Sequence, residues 1–135
     1  MLNQTTFVVE SAGSKKFILV DEKNSTAVSC KVANTGITAD SDGRKIVKAG
    51  TPLAGDLTAR GTAFVKATTT PGEGGASGSS NAVGILLHDV DVTDGTKNAQ
   101  VVIFGTFDLN KFEADVAALI DAPTKAALKM IQFIK

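Results

Sequence analysis

One short stretch of the sequence concentrates the side chains that could carry acid–base or metal chemistry. It reads His88-Asp89-Val90-Asp91-Val92-Thr93-Asp94 and holds the single histidine of the chain beside three aspartates. If this stretch is a strand, successive side chains point to opposite faces, so His88 shares no face with Asp89 or Asp91. Divided in this way, they form neither a good metal site nor a catalytic pair. We therefore expect no metal and no enzyme activity. The alternative from another functional class is a small hydrolase or metal-binding protein that uses His88, Asp89 and Asp91.

The lone Cys30 is a second candidate for chemistry, as a nucleophile. It lies in the alternating run Thr26–Val32, which is typical of a strand, and its only possible histidine base is His88. Nothing in the sequence brings the two together, so we interpret Cys30 as a small residue on a strand. A chain with one cysteine cannot form an intrachain disulfide, which fits assembly in a reducing compartment.

Two Gly-containing segments resemble the beginnings of ligand-binding loops without completing them. Asp40, Asp42 and Gly43 match the start of a calcium loop, but Ala49 stands where the acidic bidentate ligand is needed. Residues 49–61 lack the Gly-Lys-Ser/Thr ending of a phosphate-binding loop. We interpret both segments as plain turns and loops, and we expect no cofactor.

Length and composition place the chain among small globular domains. Its 135 residues predict one domain over 1–135, with 43% hydrophobic residues and enough length to bury a core. Fourteen basic residues balance fourteen acidic ones. Because nucleic acids and anionic membranes select a basic surface, we expect neither as a direct partner. Residues 1–10 show no signal-peptide pattern, and the apolar runs are too short to span a bilayer.

The most apolar part of the chain, Ala82–Phe107, organises the predicted fold. Two runs rich in Val, Ile and Phe, Val83–Val92 and Ala99–Phe107, flank the polar segment Thr93–Asn98. Such residues suit a pleated, partly buried surface, and Asp94-Gly95 supplies turn chemistry. The pattern predicts a β-hairpin with a six-residue loop at the centre of the domain.

Short strand candidates and one biased loop precede this hairpin. Thr5–Val9 and Lys16–Val20 are separated by Ser11-Ala12-Gly13-Ser14. Residues 1–24 are therefore predicted to form either an edge hairpin or an arm whose first run adds a strand to a partner's sheet. The Gly/Ser-rich segment Thr68–Asn81 has little to bury and is predicted to be a mobile surface loop. Further strand candidates are Ala27–Val32, Arg44–Lys48 and Ala63–Ala67.

The C-terminal region has helical spacing. Over Asp108–Ile120, apolar residues recur on one helix face, with Asp108 or Asn110 as the N-cap. Asp121-Ala122-Pro123 ends this helix and begins a second over Thr124–Met130, after which Ile131–Ile134 alternates like a last strand. The predicted fold class is α+β and mostly β. It combines a small single-domain β-sheet or barrel-like core, a Gly/Ser-rich surface loop and a C-terminal helical segment.

Three motifs, in order, resemble a known family. They are Thr51-Pro52-Leu53, the run Ala82-Val83-Gly84-Ile85-Leu86, and Gly105-Thr106-Phe107. Their order and spacing, from Arg44 to about Leu109, are similar to the head decoration protein D family of tailed bacteriophages, the lambda type. The resemblance covers roughly half of the chain.

The resemblance implies a structural virion protein rather than an enzyme. Such a protein is assembled in the host cytoplasm and docks as a homotrimer on the outer surface of the mature capsid. There it cements neighbouring subunits of the major capsid protein. The N-terminal segment takes part in docking, so the expected capsid-binding residues are Thr5, Thr6, Phe7, Val8 and Val9.

This sequence departs from the family pattern in three ways. It has strand-like runs in its first forty residues, a longer and more Gly/Ser-rich loop at Thr68–Asn81, and no Trp.

One alternative is a phage tail- or fibre-associated structural or adhesion module. Another is a binding module that recognises a host glycan through Thr68–Asn81.

Overall fold

The computed structural model describes residues 18–75 and 78–135 of the chain. Within these residues the strands are β1 (Thr26–Val32), β2 (Ile46–Val47), β3 (Pro52–Ala54), β4 (Val65–Lys66), β5 (Thr69–Thr70), β6 (Ser79–Ser80), β7 (Gly84–Leu86), β8 (Val90–Asp91), β9 (Lys97–Asp108) and β10 (Ile131–Ile134). The helices are α1 (Ala114–Ala117) and α2 (Ala122–Ala127), with 3-10 turns at Glu22–Asn24 and Leu109–Lys111. The predicted strand Thr5–Val9 and its capsid-binding residues lie outside the described residues. No helix of the described residues is long and apolar enough to cross a membrane.

The long strand β9 is the centre of the main sheet. The strand order is β1-β9-β7-β3-β4, all antiparallel neighbours, and β10 lies parallel to the second half of β9. The predicted α+β, mostly β class is confirmed. The sheets of the described residues do not close into a barrel, however, so of the two predicted forms of the core the open β-sheet is the one observed.

At Val101 and Val102 both faces of this sheet are covered, which explains the adjacent apolar residues in the middle of β9. Val101 and Val102 are adjacent on the strand and both fully buried, yet they belong to different clusters of the core. Val102 packs with residues of the C-terminal region, including Phe112, Val116 and Ile120. Val101 packs on the other face with residues such as Phe64 and Val92. Burial of both faces produces an apolar run instead of a strict alternation.

The predicted central hairpin is correct in one half and wrong in the other. β7 and β9 pair antiparallel, as predicted, and in the observed register Ile85 lies opposite Val102. The first run, however, leaves β9 after Leu87, whose N–H still donates to the Gln100 carbonyl at 3.0 Å, and Val90–Asp91 pairs instead with β2. β9 begins at Lys97, inside the predicted loop. The chain diverges because Leu87–Asp89 crosses to the residues after β2, where Asp89 Oδ1 accepts the backbone N–H of Ala49 at 2.7 Å.

The Gly/Ser-rich segment contains more structure than a bare loop. β5 and β6 pair antiparallel, with Thr69 opposite Ser80, and Asn81 Oδ1 accepts the Thr68 N–H at 2.8 Å. Ala76 and Ser77, near its tip, lie outside the described residues. Most of the described side chains in 68–81 are exposed, in agreement with the predicted surface position.

The long helix predicted over Asp108–Ile120 is wrong. β9 runs on to Asp108 because Phe107 is fully buried in the core, and only the short 3-10 turn and α1 follow. Asp108 does act as a cap, since its carboxylate accepts the Asn110 N–H at 2.9 Å. The Asp121-Ala122-Pro123 signal is confirmed: Asp121 caps α2 by accepting the Thr124 N–H at 2.9 Å, and Ile131–Ile134 returns as β10.

Candidate docking surface

In the His88–Asp94 stretch, the Asp89 and Asp91 carboxylates form hydrogen bonds with backbone N–H groups. The premise of one continuous strand is wrong, because residues 87–89 lie between β7 and β8. Asp89 holds the Ala49 N–H, while the Asp91 carboxylate accepts both the N–H and the hydroxyl of Thr93. These bonds, first of all the one from the Thr93 hydroxyl, hold the pKa of Asp91 below its usual value. Asp89 and Asp91 therefore support different turns.

The other two chemical candidates are likewise built into the fold. Cys30 is 1% exposed in the core face that also holds Val32, and burial raises the pKa of its thiol. Asp40 forms a turn, since its Oδ1 accepts the backbone N–H groups of Asp42 and Arg44, each at 2.9 Å. Among residues 18–75 and 78–135, no group of three or more His, Cys, Asp or Glu side chains converges as a metal site.

A polar groove of about 450 Å³ lies beside β2 and α1. Lys48 Nζ is 2.9 Å from Asp115 Oδ2 and 3.5 Å from Glu113 Oε1. The hydrogen bond to Asp115 raises the pKa of Lys48, and the same bond lowers the pKa of Asp115. Charges of both signs line the groove, so it presents no single-sign field to a ligand.

The motifs that carry the family resemblance lie on neighbouring strands of the main sheet. Leu53 of the first motif pairs with Gly84 of the second, and Ile85 pairs with Val102 on β9, the strand that ends in the third motif. Gly84 is required by this close approach: a Cβ there would lie 2.5 Å from Val101 Cγ1 and 2.9 Å from the Val102 carbonyl oxygen. The three strands that carry the motifs are therefore neighbours, in the order β3-β7-β9, and the third motif itself pairs with β10.

One face at the end of the main sheet is apolar and exposed. Within the described residues five large apolar side chains are exposed, and four of them gather here: Val20 (53%), Phe104 (43%), Met130 (63%) and Ile134 (44%). We call these four residues the outer apolar patch. The fifth, Leu57, lies in a separate loop. Exposed apolar surface that is concentrated in one place is typical of an interaction site.

Backbone pairing brings the four patch residues together. The Val20 N–H donates to the Thr106 carbonyl at 2.9 Å, and on the opposite side of β9 the Gly105 N–H donates to the Met130 carbonyl at 3.3 Å. Ile134 follows on β10, beside Asp108. β9 therefore runs between the chain at Val20 and β10. A notch of about 510 Å³ opens between Phe104, Thr106, Met130 and Gln132.

A bulge in β9 turns Phe104 outward. Thr26 of β1 pairs with Phe104 and Ala27 pairs with Val102, which leaves Ile103 as an extra residue on β9. Gly105 follows with φ of +154°, a conformation that side chains rarely adopt. Strict alternation from the buried Val102 would have placed Phe104 in the core. The patch was therefore missed from the sequence, and the glycine inside a strand-like run was the available signal for a bulge.

Comparison with family models and with curated proteins gave no match to this chain. What its surfaces can bind therefore follows from their own residues. The described residues bring together the three family-like motifs and expose one apolar patch. The predicted capsid-binding residues Thr5–Val9 belong to the 17 residues that precede Ile18. Ile18 itself lies two positions before the patch residue Val20.

Proposed function

We propose that this protein is a structural component of a phage particle. It binds as a homotrimer to the outer surface of the mature capsid and cements the shell, with the major capsid protein as its partner. Thr5–Val9 are the capsid-binding residues. The protein acts on the outside of the virion after assembly in the host cytoplasm.

The arrangement of β3, β7 and β9 carries this proposal. The first motif pairs with the second through Leu53 and Gly84, and the second pairs with β9 at Val101 and Val102, a few residues before the third motif on the same strand. The side chains of the motifs lie mainly in the two core clusters. A set of residues that form one scaffold is more specific than three short runs that merely follow one another. The residues that carry the resemblance to the decoration family therefore lie on neighbouring strands of the main sheet.

A cement protein needs a rigid core and several attachment points. Here one core cluster packs on each face of the sheet, which makes the scaffold rigid. The net charge of zero does not oppose association of copies. Three linked attachment points convert weak single contacts into durable binding, because the second and third contacts form at high effective concentration.

Sedimentation with heads tests the proposal. The purified chain is mixed with expanded capsids and, separately, with tails of the phage that encodes it. We expect the chain to sediment with expanded capsids and not with tails. Sedimentation with tails alone would favour the tail- or fibre-associated alternative, and binding to neither would reject the proposal.

A paired variant tests the assigned contact residues. Phe7→Ser combined with Val9→Ser removes apolar side chains of the proposed contact, whereas Asn3→Ser combined with Gln4→Ser changes polar residues of the same segment outside it. We expect the first pair to weaken capsid binding strongly and the second to leave it nearly unchanged. Equal binding by both would show that the segment is not the capsid contact.

A further inference from the structure

The outer apolar patch lies where the described chain begins. Val20 is a member of the patch, and Ile18 is separated from it by one residue. The chain before Ile18 therefore starts from the edge of this surface. That preceding segment contains Phe7-Val8-Val9, three consecutive apolar residues.

The preceding segment is long enough to reach back over the patch. Eight residues, 10–17, join Val9 to Ile18, and eight extended residues span up to about 27 Å. The patch crosses three neighbouring backbone segments, the chain at Val20, β9 and β10, so its width is about 10 Å at the usual strand spacing. The glycine in Ser11-Ala12-Gly13-Ser14 permits the reversal that this path needs.

The side chains on the two partners are complementary in type and spacing. Phe7 and Val9 stand two residues apart, so in an extended segment they point to the same side. Phe104, Met130 and Ile134 present apolar surface around the notch, and Gln132 supplies a polar group within it. Among the described residues the lining of this notch includes no carboxylate and one cation, Lys129, whose long side chain can keep its ammonium group in water while an apolar segment enters.

We propose that the outer apolar patch is the docking site for the N-terminal segment of the same chain, with Phe7 and Val9 seated over Phe104, Met130 and Ile134. The free protein thus shields its exposed apolar surface with its own arm. In combination with the proposed function, and resting on it, this means that the capsid competes with the patch for the same residues. The seat itself does not depend on capsid binding.

Paramagnetic broadening in the full-length chain tests the seat directly. A nitroxide is attached at Thr6→Cys, next to Phe7 but on the other side of an extended segment. Cys30 is 1% exposed, so mass spectrometry should show a single label. We expect broadening of the amide signals of Phe104, Thr106 and Ile134, while Leu57, the exposed apolar residue of a separate loop, stays sharp. Loss of the effect when Phe7→Ser and Val9→Ser are added would support the contact.

A mixed sample distinguishes docking of the N-terminal segment within one chain from docking onto a second copy. Isotope-labelled chain without nitroxide is mixed with unlabelled chain that carries it. Broadening in the mixed sample as strong as in the singly labelled one would overturn the proposal, because the patch would then bind the arm of another copy. Absence of broadening at the patch in both samples would also overturn it.

A dye measurement provides a second readout that needs no label. We expect the Phe7→Ser/Val9→Ser variant to bind several times more of a hydrophobic dye than the unmodified chain, and the Asn3→Ser/Gln4→Ser control to match the unmodified chain. Equal dye binding by all three would contradict the seat. These experiments contain no capsid, so their failure is distinct from a failure of capsid binding.

Discussion

Gly84 lies at the closest approach between β7 and β9, and its replacement by alanine gives the sharpest test of the packing. A Cβ at this position would meet Val101 Cγ1 at 2.5 Å and the Val102 carbonyl oxygen at 2.9 Å. The carbonyl belongs to the central strand and cannot move without disturbing the β7–β9 pairing. Either the strands separate or Val101 leaves its rotamer, and both weaken the core.

The expected cost follows from two opposing effects. Overpacking of a close-packed core typically costs about 1–3 kcal/mol. Replacing glycine restricts the unfolded chain and offsets about 0.4–1 kcal/mol. We therefore expect Gly84→Ala to lower the free energy of unfolding by about 1–2 kcal/mol, which corresponds to a decrease in Tm of about 4–8 °C for a chain of this size.

Urea denaturation of matched variants measures this effect. Gly61→Ala is the control, because a Cβ there has no neighbour within 4 Å, and its stability should equal or slightly exceed that of the unmodified protein. Adding Val101→Ala removes the nearest clashing atom, so Gly84→Ala should cost less in that background, by about 1 kcal/mol. If Gly84→Ala were as stable as Gly61→Ala, the reasoning on strand approach would be refuted.

Three further substitutions probe local supports of the fold. Asp121→Ala removes the acceptor of the Thr124 N–H at the start of α2 and should destabilise the protein by about 1 kcal/mol. Asp121→Asn should retain most of the cap. Thermal unfolding compares the two variants, and an equal loss of stability in both would exclude a capping role. Gly105→Ala places a side chain at φ of +154° with its Cβ 3.2 Å from Ser25 Cβ, and should cost about 1–3 kcal/mol; unchanged stability would show that the bulge tolerates a side chain. Lys48→Met removes a solvent-exposed ion pair and should cost about 0.2–1 kcal/mol at neutral pH. Because Lys48 lowers the pKa of Asp115, that contribution is fully present above the ordinary Asp value of 3.8 and is lost as the pH falls through the lowered pKa of Asp115. Urea denaturation at pH 7 and pH 2.5 should therefore show a smaller difference between Lys48→Met and the unmodified chain at pH 2.5 than at pH 7, and an equal difference at both would contradict the pairing.

Much of the strand content could be predicted because local composition and tertiary environment agree. The runs at Ala27–Val32 and Ile131–Ile134 became β1 and β10, and the Asp121-Ala122-Pro123 signal marked the start of α2. In each case the side chains that favour the element also occupy its buried positions, or cap its end. Tertiary packing then reinforced the local preference.

The errors arose where long-range contacts overrode local patterns. The helical spacing after Asp108 could not show that the burial of Phe107 extends β9 through that position. The run through Leu86 and Val90 could not show that the chain changes partner from β9 to β2. The outer apolar patch depends on a bulge at Ile103 and on the pairing of β10, neither of which single-sequence periodicity specifies.

Imaging of mature heads shows whether the protein is part of the outer surface of the capsid. Heads of the phage that encodes this chain are compared with heads assembled without it, by electron cryomicroscopy with symmetry averaging. The proposed function predicts a regular protrusion at the local three-fold positions of the outer surface, present only with the chain and built from three copies. Heads without such a protrusion, or density for the chain on the tail alone, would contradict it.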